Sequence, residues 1–170
     1  MPKQDLILDP SNYDLSRVVA DTEEIRRWNP QRFEMEQLTA IVYDDPEGGV
    51  CVGYKDVAAD EFWVRGHMPG MPLMPGVIMC EAAAQLCGYH VHRHKLMGEG
   101  AMLGFGSLDQ VRFRGTVVPG DRLVIAAQKL QLRPGQMVRS RFQCFVRDQL
   151  VCEGEIRGIP IPVEMLTGKS

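Results

Sequence analysis

Residues 66–85, GHMPGMPLMPGVIMCEAAAQ, and the run LCGYHVHRHK that carries them on to residue 95 decide how this chain folds. The first eleven residues hold three prolines and three glycines, which predicts an extended, shaped loop in place of a helix or a ladder strand. From residue 77 to about 94 there is no proline, and alanine and leucine recur, so one long helix is predicted. Gly76 falls where an amino-terminal cap belongs, and Arg93, His94 and Lys95 fall where the carboxyl-terminal dipole favours cations. The helix is apolar nearly all round through Val77, Ile78, Met79, Cys80, Ala82, Ala83, Ala84, Leu86 and Cys87. Such a helix is expected to be wrapped by the rest of the chain.

Working outward, residues 102–105, 108–118, 122–132, 137–147 and 150–161 have strand composition and are divided by turns such as Val118-Pro119-Gly120-Asp121 and Arg133-Pro134-Gly135-Gln136. Upstream, Asp21-Thr22-Glu23-Glu24 reads as a helix start that Asn29-Pro30 stops within two turns. Residues 35–43 and 50–57 read as a hairpin around the turn Asp44-Asp45-Pro46-Glu47-Gly48-Gly49. Residues 1–20 are polar without sustained period and read as an amino-terminal extension to a domain over 21–170. One long helix followed by consecutive strands predicts an α+β fold, a central helix wrapped by a curved antiparallel sheet.

At 170 residues, 45% of them hydrophobic, the chain can bury a core without disulfides or a structural metal. Nineteen basic against 22 acidic side chains, a net charge of -3, provide no broad cationic field for nucleic acid or an anionic membrane. The opening MPKQDLILDPSNYDL carries charges and prolines where a secretory leader needs an apolar core, and no 18-residue apolar run occurs, so the expected location is the cytoplasm. Cys51, Cys80, Cys87, Cys144 and Cys152 are odd in number and lie in apolar stretches, as buried reduced thiols do.

Two side chains carry potential chemistry. Glu81 is the single carboxylate of the apolar helix, and stripped of water it would hold a proton. Gln85, four residues on and on the same face, can orient it. His67 opens the proline-glycine loop, and an imidazole suits proton abstraction near neutrality. The residues alone leave open that Glu81 faces solvent and that His67 is an ordinary surface histidine. The loop, however, ends at a helix start whose free N–H groups can polarise a carbonyl oxygen.

Residues 66–85 closely resemble the signature of the 3-hydroxyacyl-acyl-carrier-protein dehydratases of fatty acid biosynthesis, the FabZ type, which have a hot-dog fold. The downstream run LDQVRFRGTVVPGD, residues 108–121, is similar to a second segment of that family, and the resemblance extends over about residues 56–160. It implies a catalytic histidine at His67, a catalytic glutamate at Glu81 and a carbonyl-polarising glycine amide at Gly76. Met68, Pro75, Val77, Gln85 and Ser107 are implied to line the acyl path. Met68 stands where an aromatic residue is usual, Ser107 where a glycine is common, and Glu34 where a proline follows the early arginine-aromatic pair, here Arg32-Phe33. Glutamate at position 81 favours the dehydratase over its isomerising relative, which carries aspartate.

The implied reaction removes water from (3R)-3-hydroxyacyl thioesters to give trans-2-enoyl thioesters, with His67 as base and Glu81 as acid. The resemblance further implies a homodimer, or a trimer of such dimers, in which the histidine and glutamate of one site come from opposite subunits. The implied partner is an acyl carrier protein bearing a phosphopantetheine-linked chain. Arg112 and Arg114, with Arg93, Lys95 and Arg122, could form the basic rim that meets it, or lie along a solvated strand edge. No cofactor and no metal are required. His90, His92 and His94 form H-x-H-x-H, in which only 90 and 94 share a helix face, and a charged helix end is the plainer account. The rival functions are a hot-dog thioesterase and a non-catalytic acyl-binding protein.

Overall fold

The computed structural model describes residues 5–168. Six strands, β1 (Ala40–Asp45), β2 (Val50–Asp56), β3 (Met102–Phe113), β4 (Arg122–Arg133), β5 (Met137–Val146) and β6 (Gln149–Ile161), form one sheet in the order β1-β2-β4-β5-β6-β3. Every neighbouring pair is antiparallel. Helices α1 (Thr22–Trp28), α2 (Gly76–Arg93) and α3 (Val163–Thr167) complete the elements with two 3-10 turns, Pro10–Asn12 and Phe33–Met35. Among the described residues no helix is long and apolar enough to cross a membrane.

Local sequence explains most of the boundaries. Asp21 caps α1 by accepting the Glu24 amide at 2.9 Å, and Asn29 leaves helical geometry at the other end. The β4–β5 hairpin turns at Arg133–Gln136, closed by a 2.9 Å bond from the Gln136 amide to the Arg133 carbonyl, with Gly135 at a φ of 72° that L side chains avoid. Two expected boundaries move. Asp44 and Asp45 belong to β1, because they pair with Cys51 and Val50 before the chain turns at residues 46–49. The expected strands over 102–105 and 108–118 are one, β3, which stays on the β6 ladder through bulges at Phe105/Ser107 and Asp109/Arg112 and ends at Phe113.

Helix α2 packs on one face of the sheet, where Met79, Ala82, Ala83 and Leu86 join Ile125, Phe142, Cys144 and Ile156 in the main core. Leu86 is wholly buried, a burial that stabilises the fold by about 2 kcal/mol. The expectation that the helix is wrapped on all sides is not met. Glu81, Ala84, Gly88 and His92 are only partly covered, and Val77 is 72% exposed. These residues recur at helical spacing, so the sheet covers one side of α2 and leaves a stripe bearing Glu81. The opposite sheet face carries a second cluster, in which Ile7 of the amino-terminal extension packs with Val42, Val52, Tyr54 and Val124.

Candidate active site

The proline-glycine loop holds His67 through backbone bonds that its own sequence provides. The His67 amide donates to Trp63 O at 2.8 Å, and Met68 and Met71 exchange amide-carbonyl bonds of 3.0 and 2.9 Å. The Leu73 amide returns to His67 O at 2.8 Å, and the Met74 amide ties the loop to Val117 O at 2.8 Å. The His67–Met68 peptide is cis. On the side chain, Nδ1 of His67 lies 2.7 Å from Leu73 O. A carbonyl can only accept, so Nδ1 carries the hydrogen and Nε2 is left with the lone pair. The imidazole is exposed and presents that nitrogen as a base.

Pro75, not Gly76, is the amino-terminal cap of α2, and Gly76 is its first helical residue. The Ile78 and Met79 amides turn back to Pro75 O, which leaves those of Gly76 and Val77 as open donors of the first turn among the described residues. A Cβ at position 76 would lie 2.7 Å from Cε1 of Phe113. Only glycine lets the β3 aromatic pack against the helix start, and this contact ties the sheet edge to the open amides.

One turn further on, Glu81 is positioned by Gln85. The Gln85 side chain, on a residue only 4% exposed, donates from Nε2 to Glu81 Oε1 at 2.8 Å and to Met35 O at 2.6 Å. Its Oε1 accepts the Gln37 amide at 2.8 Å. These three bonds admit one orientation of the amide, with its NH2 toward the carboxyl group. The segment around Gln85 is fixed in turn: Asn29 Nδ2 donates to Gln85 O at 2.9 Å, and Arg32 donates to the carbonyls of Arg26, Asn29 and Gln31. Residues 29–37, read from sequence as a helix stop and a partial family match, therefore brace the acid.

Glu81 and Gln85 open onto a cavity of about 650 Å³ of atom-free space, its mouth included. Ala84, Cys87, Gly88, Leu103, Phe105, Val138 and Ile156 make most of it apolar, while Asn29, Gln31, His92 and Ser140 supply polar groups. Asn29, Gln31 and His92 were missed as lining residues, since no local pattern links the α1 exit to α2. Burial pushes the pKa of His92 below the ordinary imidazole value. Within one chain, the lining of this cavity does not include His67, Met68, Pro75, Gly76, Val77 or Ser107. Met68 and Val77 are exposed, and Ser107 donates to Asp109 at 2.6 Å.

Most of the basic residues are engaged within the chain. Arg114 pairs with Glu153, Arg122 with Asp56 and Lys95 with Glu99, while Arg93 stacks over Trp28. Arg112 is exposed on the edge strand β3. The three histidines at the end of α2 divide as helical spacing requires: His92 faces the Glu81 cavity, and His90 and His94 converge on Asp44.

Comparison with known proteins agrees with this architecture. The fold matches a chain of the dehydratase heterocomplex ApeI:P from Xenorhabdus doucetiae with a TM-score of 0.68 at 16% identity, covering 84% of this chain and 95% of that one. A sigma28-regulated virulence protein from Campylobacter jejuni matches with a TM-score of 0.62 at 15% identity, over 84% of this chain and 94% of that one. A phenylacetic acid degradation-related protein from Ralstonia eutropha JMP134, provisionally described as a thioesterase, gives 0.56 at 13% identity, over 71% and 83%. At such identities the likeness establishes a shared fold. The FabA-like domain profile matches residues 29–155, a span that holds the bracing segment, the histidine loop, α2 and most of the sheet. The chain thus belongs to the FabA-like family of hot-dog proteins, the dehydratase group that residues 66–85 resemble.

Proposed function

We propose that this protein dehydrates (3R)-3-hydroxyacyl thioesters carried on an acyl carrier protein, as a step of fatty acid biosynthesis. The observation that carries this reading is Glu81, fixed by Gln85 at the wall of a mostly apolar cavity of acyl-chain character. Glu81 Oε1 accepts the Gln85 amide, so the oxygen that holds a transferable proton is Oε2. In the proposed elimination, His67 Nε2 takes the C2 proton, the C2–H electrons form the C2–C3 double bond, and the C3 hydroxyl leaves as water with the proton of Glu81 Oε2. The Gly76 amide holds the thioester oxygen as charge builds on it, an interaction typically worth about 3 kcal/mol.

The base and the acid belong to different chains in this reading. His67 does not line the Glu81 cavity of its own chain, which supports a site completed by the His67 loop of a second copy. The exposed apolar side chains Met68, Met71, Val77, Phe105, Leu108 and Phe113 support burial of this surface in a homodimer. Met68, Pro75, Val77 and Ser107 would then line the acyl path from the partner's side. Arg112, exposed and free to reorient, is the better candidate for the phosphopantetheine phosphate, since Arg114 is held by Glu153. All five cysteines are buried and free, which supports a reducing, cytoplasmic setting.

The test mixes His67→Ala and Glu81→Ala chains. Each alone is expected to lose at least a hundredfold in enoyl formation from a 3-hydroxyacyl carrier substrate. Confirmed mixed dimers are expected to regain up to one working site in two. Wild-type rates in both single variants would overturn the residue roles, and mixed dimers without activity would overturn the shared site. Release of free thiol in place of enoyl absorbance would identify a thioesterase, and binding without turnover an acyl-binding protein.

A further inference from the structure

Away from the Glu81 cavity, three side chains with metal-ligand chemistry, Asp44, Cys51 and His90, cluster together, and His94 joins them through Asp44. Asp44 and Cys51 are directly opposed across the β1–β2 ladder. His90 and His94 stand one turn apart on α2, the spacing that places two imidazoles on one face. His90 Nδ1 lies 2.6 Å from Asp44 Oδ1 and His94 Nε2 lies 2.8 Å from Asp44 Oδ2. The Cys51 thiol lies beside the same carboxylate. Ligand atoms of Asp44, Cys51 and His90 all lie within 4.8 Å of one another. Asp44 and His90 side chains are only 7% and 5% exposed, and among the described residues no lysine or arginine pairs with Asp44.

We propose that Asp44, Cys51, His90 and His94 bind a divalent transition-metal ion, zinc by the chemistry of the donors, as a structural site that fastens α2 to the β1–β2 hairpin. One carboxylate, one thiolate and two imidazoles make a four-ligand set of the kind that closes a tetrahedral zinc centre. The ion replaces the thiol proton of Cys51, which passes to solvent. The two negative charges on Asp44 and Cys51 then balance the dication, with both imidazoles coordinating as neutral rings. Tetrahedral zinc with bonds near 2.0 Å sets its nitrogen and oxygen ligands roughly 3.3 Å apart. His90 therefore backs off the carboxylate by about 0.7 Å from the present 2.6 Å, and His94, which lies outside the three-residue cluster, turns in from its place on Asp44 as the fourth ligand. The Asp44 carboxylate can only accept, so without metal His90 Nδ1 and His94 Nε2 carry the hydrogens, and coordination moves each hydrogen to the other nitrogen of its ring, which on His90 has no hydrogen-bond partner among the described residues. Asp44 and His94 also form part of a surface groove with Asp21, Glu23 and Glu24, against Arg27 and Arg93, which gives a hydrated cation an acidic approach.

The experiment uses untagged full-length protein stripped with a chelator and titrated with cobalt(II), a spectroscopic substitute for zinc. One equivalent is expected to give tetrahedral ligand-field bands and a near-ultraviolet thiolate-to-cobalt charge-transfer band, both removed by zinc. Zinc at a hundredfold excess over its Kd is expected to raise the melting temperature by about 5–10 °C. Cys51→Ser is expected to abolish the charge-transfer band. Because Cys51 is buried and its variant risks misfolding, His94→Gln at the helix end is the companion, expected to weaken cobalt binding about tenfold or more. A wild-type titration without the charge-transfer band, a band that survives in Cys51→Ser, or unchanged affinity in His94→Gln would overturn the site and leave a metal-free His-Asp-His hydrogen-bond network.

Discussion

Replacing Gln85 by methionine removes hydrogen bonds while keeping an unbranched side chain of similar length. The variant leaves the buried Gln37 amide, now bonded to Gln85 Oε1, without a partner, while the Met35 carbonyl, on an exposed residue, can turn to water. Such a buried orphan costs about 1–3 kcal/mol. In a chain of 170 residues that lowers the melting temperature by roughly 2–12 °C. Glu81 also loses the 2.8 Å bond that fixes Oε1. An acid free to swing by an ångström loses about a hundredfold in rate. The assays are thermal unfolding and enoyl formation at saturating substrate, with kcat expected to fall about a hundredfold and KM to stay within a few-fold. A variant with the lowered melting temperature but wild-type kcat would show that Gln85 supports the fold and not the acid. Unchanged values of both would refute the bracing argument as a whole.

A methyl group at Gly76 meets the Phe113 ring at 2.7 Å, so Gly76→Ala is expected to displace the helix start and reduce kcat/KM by at least tenfold, with partial recovery in the double variant Gly76→Ala/Phe113→Leu; no recovery would place the defect elsewhere. The Arg26 guanidinium, bonded to Glu36 at 2.7 Å, holds that carboxyl below its ordinary value. A depressed folded-state pKa contributes stability that is complete above the unfolded carboxyl's value, near 4.5, and is lost as the pH falls through the folded one. Glu36→Gln is therefore expected to flatten the acid limb of the stability curve in that window, measured by denaturant unfolding at a series of pH values, and an unaltered limb would refute the assignment.

Residues 66–95 were legible because their composition is extreme: prolines and glycines that exclude regular structure, then a helix without either proline or charge until Glu81. The i to i+4 rule also placed Gln85 beside Glu81, as the 2.8 Å bond shows. What stayed hidden depends on distant segments meeting. Asn29 reads as a helix stop, yet its side chain supports the Gln85 carbonyl 56 residues away. Asp44 reads as a turn residue, and only the β1–β2 register and the α2 packing bring it to Cys51, His90 and His94. The apolar stripe on α2 suggested a fully wrapped helix because composition records how hydrophobic a face is, not whether its own chain or another covers it. Val77 is the plainest instance, apolar and 72% exposed.

The irregular path of residues 5–20 along the back of the sheet, which includes the 3-10 turn Pro10–Asn12, is fastened at a few points. The Ile7 amide meets Gln143 Oε1 at 2.9 Å, Asp5 pairs with Arg141 at 2.8 Å, and Ala20 bridges Ile41. This strap is consequently the peelable part of the molecule, where a protease finds its first purchase. Its loss would leave every strand and the acid-bearing helix in place while uncovering Val42, Val52 and Val124 to water. A trimmed molecule would keep its chemistry and become sticky.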